Sequence, residues 1–108
     1  MKLGVIEYMD CAHHLPGHKK CGILHGHTYR VEVIIEGENK MGMILDFGDL
    51  KALLRETLGL YDHRCFNDFL EYPSVENICE MIHHKLEAQL RMPCTVRIWE
   101  GDGKWAEV

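Results

Sequence analysis

Proline is scarce in this 108-residue chain, at 3 residues. Set beside 46% hydrophobic residues, that scarcity points to a globular fold and away from disorder. Positive charge is in deficit as well: 12 Lys+Arg against 17 Asp+Glu leave a net charge of −5. No basic face dominates, which argues against a protein that coats nucleic acid. A local cluster such as His18-Lys19-Lys20 could still hold a small anion. No apolar run approaches membrane-spanning length, so no membrane partner is expected. No signal peptide is expected either, because the residues after Met1 go straight into a strand-like pattern. The 5 cysteines are odd in number and form no Cys-x-x-Cys. That argues against a disulfide framework and for a reduced, cytoplasmic setting. Cys11, Cys65, Cys79 and Cys94 then read as small buried side chains. The length suits one domain, residues 1–108, whose limited core self-association would enlarge.

What is present is periodicity. Leu3 to Met9 reads as a first strand, and Thr28 to Glu36 is the clearest one, with Tyr29, Val31, Val33 and Ile35 on one face. Pro16-Gly17 and Gly22 mark His13 to Leu24 as a loop. After a turn at Gly37 to Gly42, Met43-Ile44-Leu45 is a short extended run. A helix capped by Asp46 or Asp49 carries Leu50, Leu53, Leu54 and Leu58, with Gly59 as its stop. Leu60 to Tyr72 reads as irregular. A second helix starts at Ser74, with Val75, Ile78, Cys79, Ile82, Leu86 and Leu90 on one stripe, and Pro93 ends it. Thr95 to Glu100 and Lys104 to Val108 complete a β-β-α-α-β-β order. The expected class is α+β: a four-stranded antiparallel sheet with two helices on one face. The other face must meet solvent or another subunit.

The chemistry concentrates in Cys21-Gly22-Ile23-Leu24-His25-Gly26-His27. In an extended segment His25 and His27 point the same way, so they can grip one ion. Three histidines and a water make an open catalytic zinc site. His13 is the expected third ligand, with His14 and His18 as rivals. His83 and His84 read as surface residues of the second helix. Asp62-His63 joins a carboxylate to an imidazole, a pair suited to activating a thiol such as Cys21. Glu100 shares strand parity with Val96 and Ile98, so it is a rim residue or a buried acid with a partner. A heterocycle offering amino and ring N–H donors would be such a partner.

Together these segments resemble the 6-pyruvoyl-tetrahydropterin and 6-carboxy-tetrahydropterin synthase family over nearly the whole chain. Asp10-Cys11-Ala12-His13-His14-Leu15-Pro16 is similar to its first zinc-ligand segment, and Lys20 to Tyr29 to its catalytic cysteine and other two ligands. Gly42 to Phe47, Tyr61-Asp62-His63 with Asn67, and Pro73-Ser74 with Glu76-Asn77 are similar to later family segments. Glu100 sits where the family anchors its pterin. Three residues separate Cys21 from His25. That spacing resembles the bacterial and archaeal 6-carboxy branch, which serves synthesis of the 7-deazaguanine nucleosides queuosine and archaeosine. The aldolase-like branch tends to carry glutamate in place of this cysteine. The chain departs from the family in a short His13–Cys21 loop, a short Gly37–Gly42 turn, and no threonine after Glu100.

The resemblance implies a tunnelling fold whose trimers close sheets into a β-barrel and stack into hexamers, with active sites between subunits. It implies a lyase using Zn2+ on His13, His25 and His27, with 7,8-dihydroneopterin triphosphate as substrate. Cys21, Asp62 and His63 would be catalytic, and Glu100 would bind the pterin. The implied products are 6-carboxy-5,6,7,8-tetrahydropterin, acetaldehyde and triphosphate. Triphosphate elimination alone, giving the 6-pyruvoyl product, is the alternative within the family. A catalytically silent pterin- or metal-binding module is the alternative outside enzymes.

Overall fold

The computed structural model describes residues 1–108. Its foundation is an antiparallel pair, β1 (Lys2–His13) and β2 (His25–Glu36), in register from Lys2 opposite Glu36 to His13 opposite His25. Strand β3 (Cys94–Glu100) pairs with β2, and β4 (Trp105–Glu107) pairs with β3. The sheet order is therefore β1-β2-β3-β4, antiparallel throughout. Strand alternation sends Val5, Met9 and Cys11 of β1, Tyr29 to Ile35 of β2, and Val96 and Ile98 of β3 to one buried face.

Helices α1 (Phe47–Gly59) and α2 (Val75–Leu90) cover that face. Asp46, not Asp49, caps α1 by accepting the N–H groups of Gly48 and Asp49 at 2.7 and 3.3 Å. Ser74 caps α2 through the N–H of Asn77 at 3.2 Å. The apolar stripes Leu50, Leu54, Leu58 and Ile78, Cys79, Ile82, Leu86 are buried. One charged residue also faces inward: Glu7 takes the Arg55 guanidinium of α1 at 2.7 Å, pinning that helix to β1. The expected class, order and one-sided cover are all present.

Several boundaries differ from expectation. His13 is the last residue of a strand and not the first of a loop, because the pairing with β2 continues past the apolar run. β2 likewise begins at His25 rather than Thr28. Met43-Ile44-Leu45 forms no strand; only an isolated Lys40–Met43 bridge closes that turn. Gly59 lies within α1, which is capped by Leu60 in an ordinary right-handed conformation. α2 stops at Arg91, which adopts φ +55° and donates its N–H to Glu87 O, two residues before Pro93. The segment read as irregular contains a single 3-10 turn, Phe66–Asp68. Cys11 and Cys79 are buried and donate to carbonyls of Tyr61 and Val96, while Cys65 and Cys94 are half-buried. No helix is long and apolar enough to cross a membrane.

Ile82 is fully buried in α2 where that helix packs on β3. Ile82→Ala should cost about 2–5 kcal/mol. In urea the unfolding midpoint should fall at unchanged slope; an unmoved midpoint would mean α2 is not part of the core.

Candidate metal centre and neighbouring polar groups

The end rung of the β1–β2 ladder places His13 directly opposite His25, and His27 follows two residues on along the same face. The ring centroids lie 4.6 Å (13–25), 5.1 Å (13–27) and 4.8 Å (25–27) apart. One ligand nitrogen from each ring falls within 4.8 Å of the others. Neither His14 nor His18 joins this set. The backbone N–H and C=O of His14 are instead both held by the Asn67 amide, at 2.9 Å each.

The tautomers follow from the partners. His13 Nδ1 lies 2.7 Å from Pro73 O, and His25 Nδ1 lies 2.6 Å from Ile23 O. A carbonyl only accepts, so both Nδ1 atoms carry the proton. In the neutral rings both Nε2 atoms then present lone pairs, facing each other at 3.1 Å. Such an approach needs a cation between them. His27 Nε2 is likewise buried without a hydrogen-bond partner. Burial, ahead of any other cause, holds the His27 imidazolium below its usual range; Glu100 opposes this, while His13 and His25 add to it. A proton is therefore a poor occupant of the His27 nitrogen. Three neutral imidazoles, two of them oriented by carbonyls, are the donor set of a divalent metal with an open position. The residues fit the metal that the sequence implied.

Glu100 closes one side of this centre. It ends β3 opposite Tyr29, with Oε1 3.5 Å from His27 Nε2 and Oε2 4.0 Å from His13 Nε2. Lys104 Nζ stands 3.5 Å from Oε1. The acid on an apolar face is thus a rim residue between two imidazoles and the Lys104 ammonium.

Cys21 belongs to a tightly closed loop. Its carbonyl accepts Leu15 N–H at 2.7 Å, and His18 Nδ1 accepts the N–H groups of Cys21 and Lys20 at 2.9 and 3.2 Å. His18 therefore latches the loop with one nitrogen while remaining exposed. Gly22 donates to His18 O, and a Cβ there would sit 2.3 Å from that oxygen. The Cys21 thiol stands outside the histidine donor set, and no hydrogen bond or ion pair joins it to Asp62 or His63.

Asp62 and His63 lie beside the outer edge of β1. Asp62 Oδ1 accepts Asp10 N–H at 2.9 Å, His63 N–H returns to Asp10 O at 2.7 Å, and Asp62 Oδ2 meets His63 Nδ1 at 3.1 Å. Accepting the Asp10 N–H, and then pairing with His63, holds the Asp62 carboxyl below its ordinary range. His63 takes φ +61° to make this turn. Asp10, Gly26, His27, Thr28 and His63 border one open groove of about 570 Å³. One chain thus gathers His13, His25, His27 and Glu100, keeps the Asp62–His63 pair on an adjoining surface, and leaves Cys21 apart from that pair. Missing from the sequence reading were the Pro73 and Ile23 carbonyls and the Asn67 clamp. Only Pro73 and Asn67 carried a signal, as parts of the recurring segments.

Residues 2–108 match the family model of 6-pyruvoyl tetrahydropterin synthase. The chain belongs to this family. Family resemblance extends to an Archaeoglobus fulgidus protein, provisionally named 6-carboxy-5,6,7,8-tetrahydropterin synthase, at 42% identity over 100% of this chain and 95% of the relative. A Synechocystis 6-carboxy-5,6,7,8-tetrahydropterin synthase is 39% identical, covering 72% of this chain and 68% of its own. A Pyrococcus furiosus dihydroneopterin monophosphate aldolase is 35% identical, covering 73% and 72%. The family fold is shown by Caenorhabditis elegans 6-pyruvoyl tetrahydropterin synthase, at TM-score 0.89 and 22% identity over 100% of this chain and 94% of that one.

His25→Ala should weaken divalent-metal binding at this centre by about 100-fold or more, read by competition with a chromophoric chelator. His14→Ala should leave that affinity unchanged. Weakened binding in His14→Ala would overturn the assignment of His13 as the third ligand.

Proposed function

We propose that this single-domain chain is a zinc-dependent 6-carboxy-5,6,7,8-tetrahydropterin synthase acting on 7,8-dihydroneopterin triphosphate. The carrying observation is the convergence of three imidazole nitrogens beside Glu100. It is supported by the names of the 42% and 39% identical relatives and by a cysteine at position 21. The aldolase name of the third relative marks the competing activity.

His13, His25 and His27 would hold zinc, which when bound supplies Lewis acidity toward the hydroxyls of the substrate side chain. Glu100 accepts charge-assisted hydrogen bonds from the pterin amino and ring N–H groups and fixes the ring beside the histidines. Cys21, as thiolate, removes the proton from the side-chain carbon next to the ring. Asp62 holds His63, and His63 keeps the thiol basic and returns the proton. Because no contact joins this pair to Cys21 within one chain, the pair serves the Cys21 of a neighbouring subunit. Strand β1 has a largely open outer edge, and β4 leaves the opposite edge open, as barrel closure by a trimer or hexamer requires. Triphosphate departs, the ring is reduced by its own side chain, and one water cleaves the resulting dicarbonyl, leaving a carboxylate on the ring and releasing the two-carbon fragment as acetaldehyde, without an external redox cofactor. The product feeds 7-deazaguanine nucleoside synthesis in the cytoplasm.

Incubation of zinc-loaded protein with dihydroneopterin triphosphate should release acetaldehyde and triphosphate in equal amounts. Triphosphate with a 6-pyruvoyl product would move the chain to the sister activity, and a two-carbon aldehyde still carrying the triphosphate would move it to the aldolase. Cys21→Ala should lower turnover by about 10²–10⁴-fold with metal content retained. Undiminished turnover would refute the proton-transfer role.

A further inference from the structure

A second donor cluster lies at the opposite end of β3. His83 and Glu87 are one helical turn apart on α2, and the left-handed cap at Arg91 turns the chain so that Cys94 begins β3 beside them. The His83 nitrogen, a Glu87 carboxylate oxygen and the Cys94 sulfur all lie within 4.8 Å of one another. His83 Nε2 is 3.2 Å from Glu87 Oε2 and 3.0 Å from Cys94 O. Five strand residues separate Cys94 from Glu100, about 20 Å of extended chain, so this cluster shares no group with the histidine triad.

The local balance of donors and acceptors is uneven. A carboxylate, a carbonyl and a sulfur converge on one ring N–H, and the ion pair of Glu87 is with His83 alone. Burial, then the Glu87 charge, pushes the Cys94 thiol up to about 11. An ion in place of the shared proton would meet four donors: Nε2, a carboxylate oxygen, Sγ and a backbone oxygen. Around zinc, ligand atoms at about 2.0–2.3 Å stand about 3.3–3.8 Å apart in a tetrahedron. To reach that, the 3.0 and 3.2 Å separations must open slightly, and the sulfur, within 4.8 Å of the other two ligand atoms, must settle into the same range.

We propose that His83, Glu87 and Cys94 form a second metal site, selective for borderline divalent ions such as zinc or cobalt, that clasps the end of α2 to the start of β3. The mixed nitrogen, oxygen and sulfur set favours such ions over magnesium or calcium. On binding, the imidazole shifts its proton to Nδ1, the thiol releases one proton to solvent, and no oxidation state changes. The site rests on its own residues and stands whether or not the proposed activity holds.

The test is cobalt titration of the untagged full-length chain carrying His25→Ala, in which the triad is broken. A thiolate-to-cobalt charge-transfer band should grow to one equivalent per chain, because only the second site offers sulfur among its ligands. Adding Cys94→Ser should abolish the band, and Glu87→Gln should weaken cobalt binding by about tenfold or more. Adding Cys21→Ser should change nothing. Circular dichroism should show each variant folded, the two conservative substitutions guarding against loss of structure. No thiolate band, or a band that survives Cys94→Ser, would overturn the site. A band that disappears with Cys21→Ser would overturn it as well, by moving the sulfur to the other centre.

Discussion

The pairing of β1 with β2 is the constraint on which the structure depends. It runs to its final rung without slipping, and that rung is His13 opposite His25. A shift by one residue would turn every inward side chain outward. It would expose the Val31–Val33–Ile35 stripe and send His25 and His27 to the wrong face in the same stroke. The apolar core thus fixes the register, and the register positions the imidazoles. Hydrophobic burial, a non-directional force, is converted here into placement of the imidazole nitrogens.

Asp10 plays a comparable part on the outer edge. Its N–H and C=O bind Asp62 and His63, and its carboxylate receives the Thr28 hydroxyl from the next strand. The turn after α1 is thereby sewn to the sheet one rung from the metal centre. His63 occupies the left-handed region to make this possible, an uncommon state for a side chain of its size. Such a conformation persists where its surroundings over-determine it.

The sheet, the helices and their order were legible because alternation in β2 and the leucine spacing of α1 repeat over enough residues to be distinguished. The length of β1 was not legible. Cys11-Ala12-His13 lacks β-branched residues and stands close to Pro16-Gly17, so local signals marked a loop where pairing with β2 continues the strand. The three histidines were readable as a group through His-x-His parity and the recurring family segments. Their orienting partners were not, because Pro73 and Ile23 act through backbone carbonyls, which every residue possesses. Sequence distance also said nothing of whether Cys21 meets Asp62–His63, since that depends on how loops fold and subunits meet. His18 hid for a related reason: its hydrogen bonds run to backbone N–H groups of its own loop.

The bond from His13 to Pro73 has a consequence for how the molecule ripens. Pro73 immediately precedes Ser74, the cap of α2, so one carbonyl joins the histidine cage to the root of the longer helix. A cation on the far nitrogen of His13 makes the near N–H a stronger donor and draws that carbonyl closer. Were an ion to occupy the cage, its binding and the order at the helix root would be linked, each favouring the other. Acquiring an ion there would then also tighten the fold at the start of that helix.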